Sequence, residues 1–306
     1  MAPTPMQRVD VTGSDRVKYL EDVTSQHLLD VPVTHVRSAL VLDTHGAPNA
    51  MFDVVVLGDR LALLVPDEEV RTTVMDVLAQ RTFLLDARFQ AREDQIVSVR
   101  GEQTPEVVGR AGLTVVAGRC RVAGDLLLVS RPGGMDISGP PTAVQEAVQA
   151  LLEAGARQGD HSDLEAWRVS QGQPAWGREV TPPHLPEELG LLPTHVHLAK
   201  GCYPGQEAVA RMWMLGRPRR RLAVVTVEGA VSAGWRAGSG RQAIEVTSVS
   251  PDGMRALAFV PADATAGASF GAEDGDSTTV TVAELVGGEE LPPGHDPAVP
   301  RRRDRR

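Results

Sequence analysis

The segment MFDVVVLGDRLALLV (51–65) limits the fold more than any other part of this chain. Two apolar runs flank Gly58-Asp59. Such a pair reads as a β-hairpin, with the dipeptide supplying the positive φ of a tight turn. DEEVRTTVMDVLAQ follows, with Asp67 placed to cap a helix and Val70, Val74, Val77 and Leu78 on one helical face. The plan then returns: CRVA (120–123), Gly124-Asp125 and LLLVS (126–130) form a second hairpin. TAVQEAVQALLEAG reads as the helix after it, with Thr142 and Gln145 as a capping box and Gly155 at its end. With ALVLD (39–43) as a further strand, two hairpin-then-helix units point to paired split β-α-β halves and an α+β fold. Two unrelated Gly-Asp hairpins would leave the same trace, so duplication stays open on the residues alone.

After GRPRRR (216–221) helical periodicity disappears. LAVVTVE (222–228), AIEVTSVS (243–250), MRALAFV (254–260) and TTVTVAELV (278–286) are short strands, with Pro251-Asp252-Gly253 as a turn. They predict a small β-barrel or sandwich. From about Glu289 the chain is rich in Pro, Gly and Arg and reads as a disordered basic tail. The expected division is therefore 1–214, 215–288 and 289–306.

The net charge of −9 opposes a general nucleic-acid or membrane-surface binder, because both partners are anionic. RRRDRR (301–306) is a local exception that reads as a solvated tail. Cys120 and Cys202 are the only cysteines, too few for a disulfide framework or a four-thiolate metal site. MAPTPMQRVD lacks the basic and apolar regions of a signal peptide, and no apolar run has the length of a spanning helix. These features predict a cytoplasmic protein with reduced thiols.

KGCYPGQE (200–207) concentrates the chemistry. On an extended segment Lys200 and Cys202 would point to one side, and the ammonium would favour the thiolate. Pro204-Gly205 ends such a segment, and QEAVARM can open a helix whose first amides face the sulfur. The other reading is a small buried hydrophobe, the common fate of a lone cysteine. THVHL places His195 and His197 on one face of a strand, without a third metal ligand nearby. Trp167 and Trp176 can stack on a flat ligand or fill a core. Arg217, Arg219, Arg220 and Arg221 suit phosphates or a solvated linker, and Cys120 reads as structural. There is no phosphate loop, GxSxG elbow or HExxH motif.

Lys200-Gly201-Cys202-Tyr203-x-Gly205-Gln206-Glu207, with Arg211 following, resembles the signature of the YgfZ-type folate-binding proteins, relatives of the glycine-cleavage aminomethyltransferase (T-protein). Gly13-x-Asp15-x-x-x-Tyr19-Leu20 with Thr24, ALVLDTHG (39–46) and Arg168-x-x-x-Gly172-x-Pro174-x-x-Gly177-x-Glu179 extend the likeness over roughly residues 6 to 287. The resemblance implies two ferredoxin-like halves and a C-terminal β-barrel, set in a three-domain ring that receives tetrahydrofolate or a derivative. It implies folate-dependent support for the synthesis or repair of iron–sulfur clusters in transient client proteins, tRNA-modifying enzymes among them. No stable nucleic-acid or membrane partner is implied, and no resident metal. By position, Cys202 is the reactive centre with Lys200. Tyr203, Gly205, Gln206, Glu207, Arg211 and Arg168 complete the functional surface. Two departures matter. Ser170 stands where T-protein relatives carry a pterin-reading acid, and a serine cannot grip that edge bidentately. KGCYPGQE itself replaces a cysteine-free segment. Asp53 lies near where the transferases place a catalytic carboxylate. That keeps a tetrahydrofolate-dependent one-carbon or aminomethyl transferase as the alternative, with turnover undecided.

Overall fold

The computed structural model describes residues 1–215, 218–271, 277–288 and 290–298. They divide into two compact units: Met1–Leu40 with Ala50–Leu164, and Val41–Asn49 with the chain from Glu165 on.

The first part of the chain runs β1 (Ala2–Pro3), β2 (Gln7–Thr12), α1 (Arg16–Val23), β3 (Val36–Leu42), β4 (Pro48–Val56), β5 (Leu61–Val65), α2 (Glu68–Thr73) and β6 (Arg88–Arg92). It continues with β7 (Gln95–Arg100), α3 (Thr104–Arg110), β8 (Cys120–Ala123), β9 (Leu126–Arg131), β10 (Gly134–Gly139) and α4 (Pro141–Glu153). These strands build two five-stranded sheets, ordered β3-β4-β5-β2-β6 and β1-β7-β10-β9-β8. The orders correspond strand for strand. In each half a first strand (β2, β7) leads through a helix to an outer strand and a hairpin, then to a second helix. The last position is filled by β6 in one half and by β1, from the other end of the unit, in the second. Each half thus has the split β-α-β plan.

The repeat is real, but its register differs from the one the sequence suggests. The equivalent of hairpin β4–β5 is β9–β10, so the two Gly-Asp dipeptides are not counterparts. GMDISG (134–139) escapes notice as a strand because Asp136 and Ser138 interrupt its apolar run, yet both are fully buried. The β4–β5 turn closes through Leu57 N–H donating to Arg60 O (3.0 Å), and Gly58 is not among the positive-φ residues. Gly124, in the other hairpin, has φ +59°. Asp67 caps α2 as expected, its Oδ1 accepting from Val70 N–H at 2.9 Å. The capping box at Thr142 does not form: α4 starts at Pro141 without a side-chain cap. Gly155 (φ +96°) ends that helix, where Ala156 N–H donates to Leu151 O (2.8 Å). Cys120 is buried in a cluster with Val55, Leu64, Leu127 and Val129, and burial pushes its thiol pKa up.

The second unit contains α5 (His161–Ser170) from Glu165 on, α6 (Leu192–His195) and α7 (Gln206–Leu215). Six strands follow: β11 (Arg220–Glu228), β12 (Arg236–Ala237), β13 (Ile244–Val249), β14 (Arg255–Pro261), β15 (Ser269–Gly271) and β16 (Thr279–Leu285). They form an antiparallel, barrel-like sheet in the order β12-β13-β14-β11-β16-β15, around Val225, Ile244, Val246, Ala258 and Val282. The whole is α+β, as expected. Arg220 and Arg221 are not linker residues: they open β11. Arg220 pairs with Glu245 (3.2 Å) over the Phe259 ring, and Arg221 donates to Gly288 O (3.0 Å). Arg217 and RRRDRR lie outside the described residues.

Candidate functional site

The KGCYPGQE loop joins α6 to α7 in the second unit. His195 is the last residue of α6 and His197 lies two residues on, beyond extended Val196 and at the start of a turn, so THVHL is no strand and its histidines share no strand face. Within the loop, Lys200 is buried while Cys202 is exposed. The Lys200 ammonium lies 5.0 Å above the Tyr203 ring centroid, a cation–π contact. Tyr203 is itself buried, which pushes its pKa up to about 12. The cation is therefore stacked on the tyrosine, and the expected extended pair of Lys200 with Cys202 is replaced by an irregular loop.

Gly205 turns that loop into α7 with φ +80°. A Cβ there would stand 2.5 Å from the Asp43 carbonyl oxygen and 2.9 Å from the Leu42 Cβ. The residue is glycine on two grounds, conformation and space. The support beneath it is the turn of ALVLDTHG, where Asp43 Oδ1 accepts from His45 N–H (2.8 Å) and Ala47 N–H (2.9 Å). Gly46 meets Ala208 of α7, its Cβ position 3.0 Å from the alanine methyl. Asp43 escaped the sequence reading, although an Asp opening a Thr-His-Gly turn is the available signal.

Helix α7 anchors through buried Val209 and Trp213. Its first amide is already used, since Gln206 N–H donates to Tyr203 O at 3.2 Å. Glu207 and Arg211 are exposed, one turn apart, and paired neither with each other nor with another described residue. An acid and a base in that position are available to a ligand or partner.

Arg168 is differently occupied. Its guanidinium donates to Glu165 (2.9 Å twice), Glu179 Oε2 (3.1 Å), Gln173 O (2.8 Å) and Ser248 Oγ (2.8 Å). Glu179 is fully buried and also accepts from Ala175 N–H, Thr247 Oγ1 and Ser248 Oγ. This network clamps α5 and the following loop to the β13 strand. Ser170 donates to Trp167 O (2.7 Å), and both Trp167 and Trp176 are half-buried.

Asp53 belongs to the first unit. Ser38 Oγ donates to it at 2.5 Å and Arg131 pairs with it. Arg131 also binds Asp136 (2.5 Å), which takes Arg100 (2.6 Å) and Ser98 (2.6 Å). Burial alone would raise the Asp136 pKa, but Arg131 and Arg100 overcome it and hold the group at about 2. Arg131 Nη2 is buried without a hydrogen-bond partner. Neither Arg131 nor Asp136 stood out in the sequence, where the only hint was charge beside the apolar runs of two strands. Among the described residues, no group of three His, Cys, Asp or Glu could hold a metal ion, and no helix is long and apolar enough to cross a membrane.

Comparison with known proteins places this geometry among relatives. The chain is 22% identical over 252 residues to the tRNA-modifying protein YgfZ of Vibrio atlanticus, covering 76% of this chain and 75% of that one. It is 21% identical over 227 residues to an uncharacterized protein of Haemophilus influenzae, covering 74% and 72%. The crystal structure of glycine cleavage system aminomethyltransferase T from Bartonella henselae matches with a TM-score of 0.76 at 19% identity, covering 94% of this chain and 86% of that chain. No family model matches.

Proposed function

We propose that this chain, a YgfZ-type protein related to aminomethyltransferase T, binds a reduced folate and presents Cys202 to proteins whose iron–sulfur clusters it helps to build or repair. The observation that carries the reading is the KGCYPGQE loop itself. It exposes a thiol on a seat made rigid by Gly205 and the Asp43 turn, two residues along the chain from a cation held on Tyr203. A buried, inert cysteine would need none of this.

Tetrahydrofolate requires a partner for its 2-amino-pyrimidinone edge, faces for its ring and a cation for its glutamate. The side chains free to take these parts are Glu207 as acceptor, Gln206 as donor and acceptor, and Arg211 for the carboxylate tail. Trp167 and Trp176 supply half-buried ring faces. Glu179 and Arg168 are spent on each other, so the fit rests on α7. Bound folate would supply a one-carbon or electron-rich pterin partner. The chain's own part is to hold Lys200 on Tyr203, to keep Cys202 in solvent, and to offer Glu207 and Arg211 to what docks there.

The alternative, one-carbon transfer by Asp53, is disfavoured because that carboxylate is already committed to Ser38 and Arg131. Calorimetric titration with tetrahydrofolate, on wild type and Cys202→Ala, tests the proposal. Equal binding by both, with failure of Cys202→Ala to restore cluster-enzyme activity in cells lacking the protein, supports it. No binding by either removes the folate part. Full rescue by Cys202→Ala removes the thiol part, and full rescue with loss of rescue by Asp53→Ala favours the transferase.

A further inference from the structure

Sequence reading assigns the stretch after Glu289 to disorder, yet residues 290–298 are placed and they touch the functional loop on both sides. Pro293 O accepts from Leu198 N–H at 2.8 Å, two residues before Lys200. Gly294, at φ +75°, lies so close that a Cβ would stand 2.6 Å from Ala199 N and 2.7 Å from the His197 ring. His295 sets its ring against Trp213 of α7, at 5.5 Å between centroids and 79° between planes. A turn from His295 N–H to Pro292 O (3.2 Å) links these contacts, and Pro292 is buried. The segment LPPGHD therefore grips the chain just before KGCYPGQE and the helix just after it.

We propose that Pro293, Gly294 and His295 are positioning residues for the Cys202 loop, a clasp that keeps Lys200 stacked on Tyr203 and whose release frees both. This rests on the reading of KGCYPGQE as the functional surface. The clasp is suited to reversible release. Its contacts among the described residues include a backbone hydrogen bond, a ring contact and the close packing of Gly294, most of its residues are exposed, and it carries none of the barrel core. Segments of that kind open locally long before a domain unfolds. The loop it holds gains in the opposite way: ends pinned at 198 and 213 leave the intervening turn little freedom to lose when a ligand binds.

Three variants of the full chain test it. Gly294→Val places a branched side chain where none fits, His295→Ala removes the ring, and His295→Phe keeps a ring against Trp213. The readouts are hydrogen exchange over residues 200–206 and the ultraviolet titration of Tyr203. Buried Cys120 serves as the internal control, because it reacts with a maleimide only if the first unit opens. The expected result is at least tenfold faster exchange at 200–206 in Gly294→Val and His295→Ala. Tyr203 ionisation should also fall from about 12 toward the ordinary value near 10, with Cys120 unreactive and His295→Phe unchanged. Faster exchange confined to Leu198, with 200–206 and Tyr203 as in wild type, overturns the proposal. Should Gly294→Val unfold the chain, His295→Ala decides by the same readouts. None of these measurements uses folate, so the clasp can stand or fall separately from tetrahydrofolate binding.

Discussion

Replacing Arg168 by alanine separates two roles that look alike in the sequence, ligand contact and internal clamp. In the structure its guanidinium is the cation facing the fully buried Glu179 carboxylate, at 3.1 Å. At that distance and an effective dielectric of about 20, the attraction is on the order of 5 kcal/mol before desolvation. Removing the arginine leaves the carboxylate with three neutral donors, from Ala175, Thr247 and Ser248. A buried ion stranded in this way costs about 3–5 kcal/mol. Urea unfolding followed by tryptophan fluorescence reads this directly, because Trp167, Trp176, Trp213 and Trp235 all lie in the second unit. The transition should move down by more than about 1 M urea. The double variant Arg168→Met, Glu179→Gln should recover most of the loss, since it strands no charge. An Arg168→Ala protein that loses less than about 1 kcal/mol but no longer binds tetrahydrofolate would refute the clamp and return Arg168 to the ligand surface.

Three further expectations follow from the same geometry. Asp136, held at about 2, contributes stability that is complete above its ordinary pKa near 4 and is lost as pH falls from there to about 2. Asp136→Asn should flatten that part of an acid-unfolding curve followed by circular dichroism, by roughly 2 kcal/mol. An unchanged curve would mean that the Arg131–Asp136 pair is not coupled to folding. Gly205→Ala should cost at least about 1–2 kcal/mol from φ strain alone, and it should alter the maleimide rate of Cys202, because the Asp43 carbonyl leaves the methyl no room; a variant with wild-type rate and stability would show the seat to be soft. Cys202→Ala, at an exposed position, should change stability by no more than about 0.5 kcal/mol, so any functional loss in that variant belongs to the thiol.

What the sequence made legible depended on how local the cause was. Asp67 caps its helix and the four long barrel strands lie where their alternation puts them, because each depends on neighbours a few residues away. The motif loop was legible as a motif but not as a geometry. Lys200 could be placed beside Cys202 by counting, whereas its place on Tyr203 depends on a fold in the loop that no periodicity records. Strand β10 was hidden because its Asp136 is neutralised by Arg100 and Arg131, one from each neighbouring strand. The partners of Arg168 and Asp53 were illegible for the same reason: a half-buried charge takes whatever partner is nearest in space, and sequence spacing says nothing of which. The LPPGHD segment has the composition of a tail, but Pro and Gly there serve close packing against residues 197–199.

The two-residue strand β1 pairs with Ser98 and Val97 of β7, and Met1 bonds Arg157. The second half of the first unit is thus finished by the piece of that unit made earliest. During synthesis the first sheet can close on its own as soon as β6 emerges, while Ala2 and Pro3 must wait for a strand almost a hundred residues away. That wait imposes an order of assembly: the second half borrows its last strand across the first, so the two repeats become one cooperative body when the loan is completed. A chain cut between β6 and β7 would therefore leave one repeat whole and the other short of an edge.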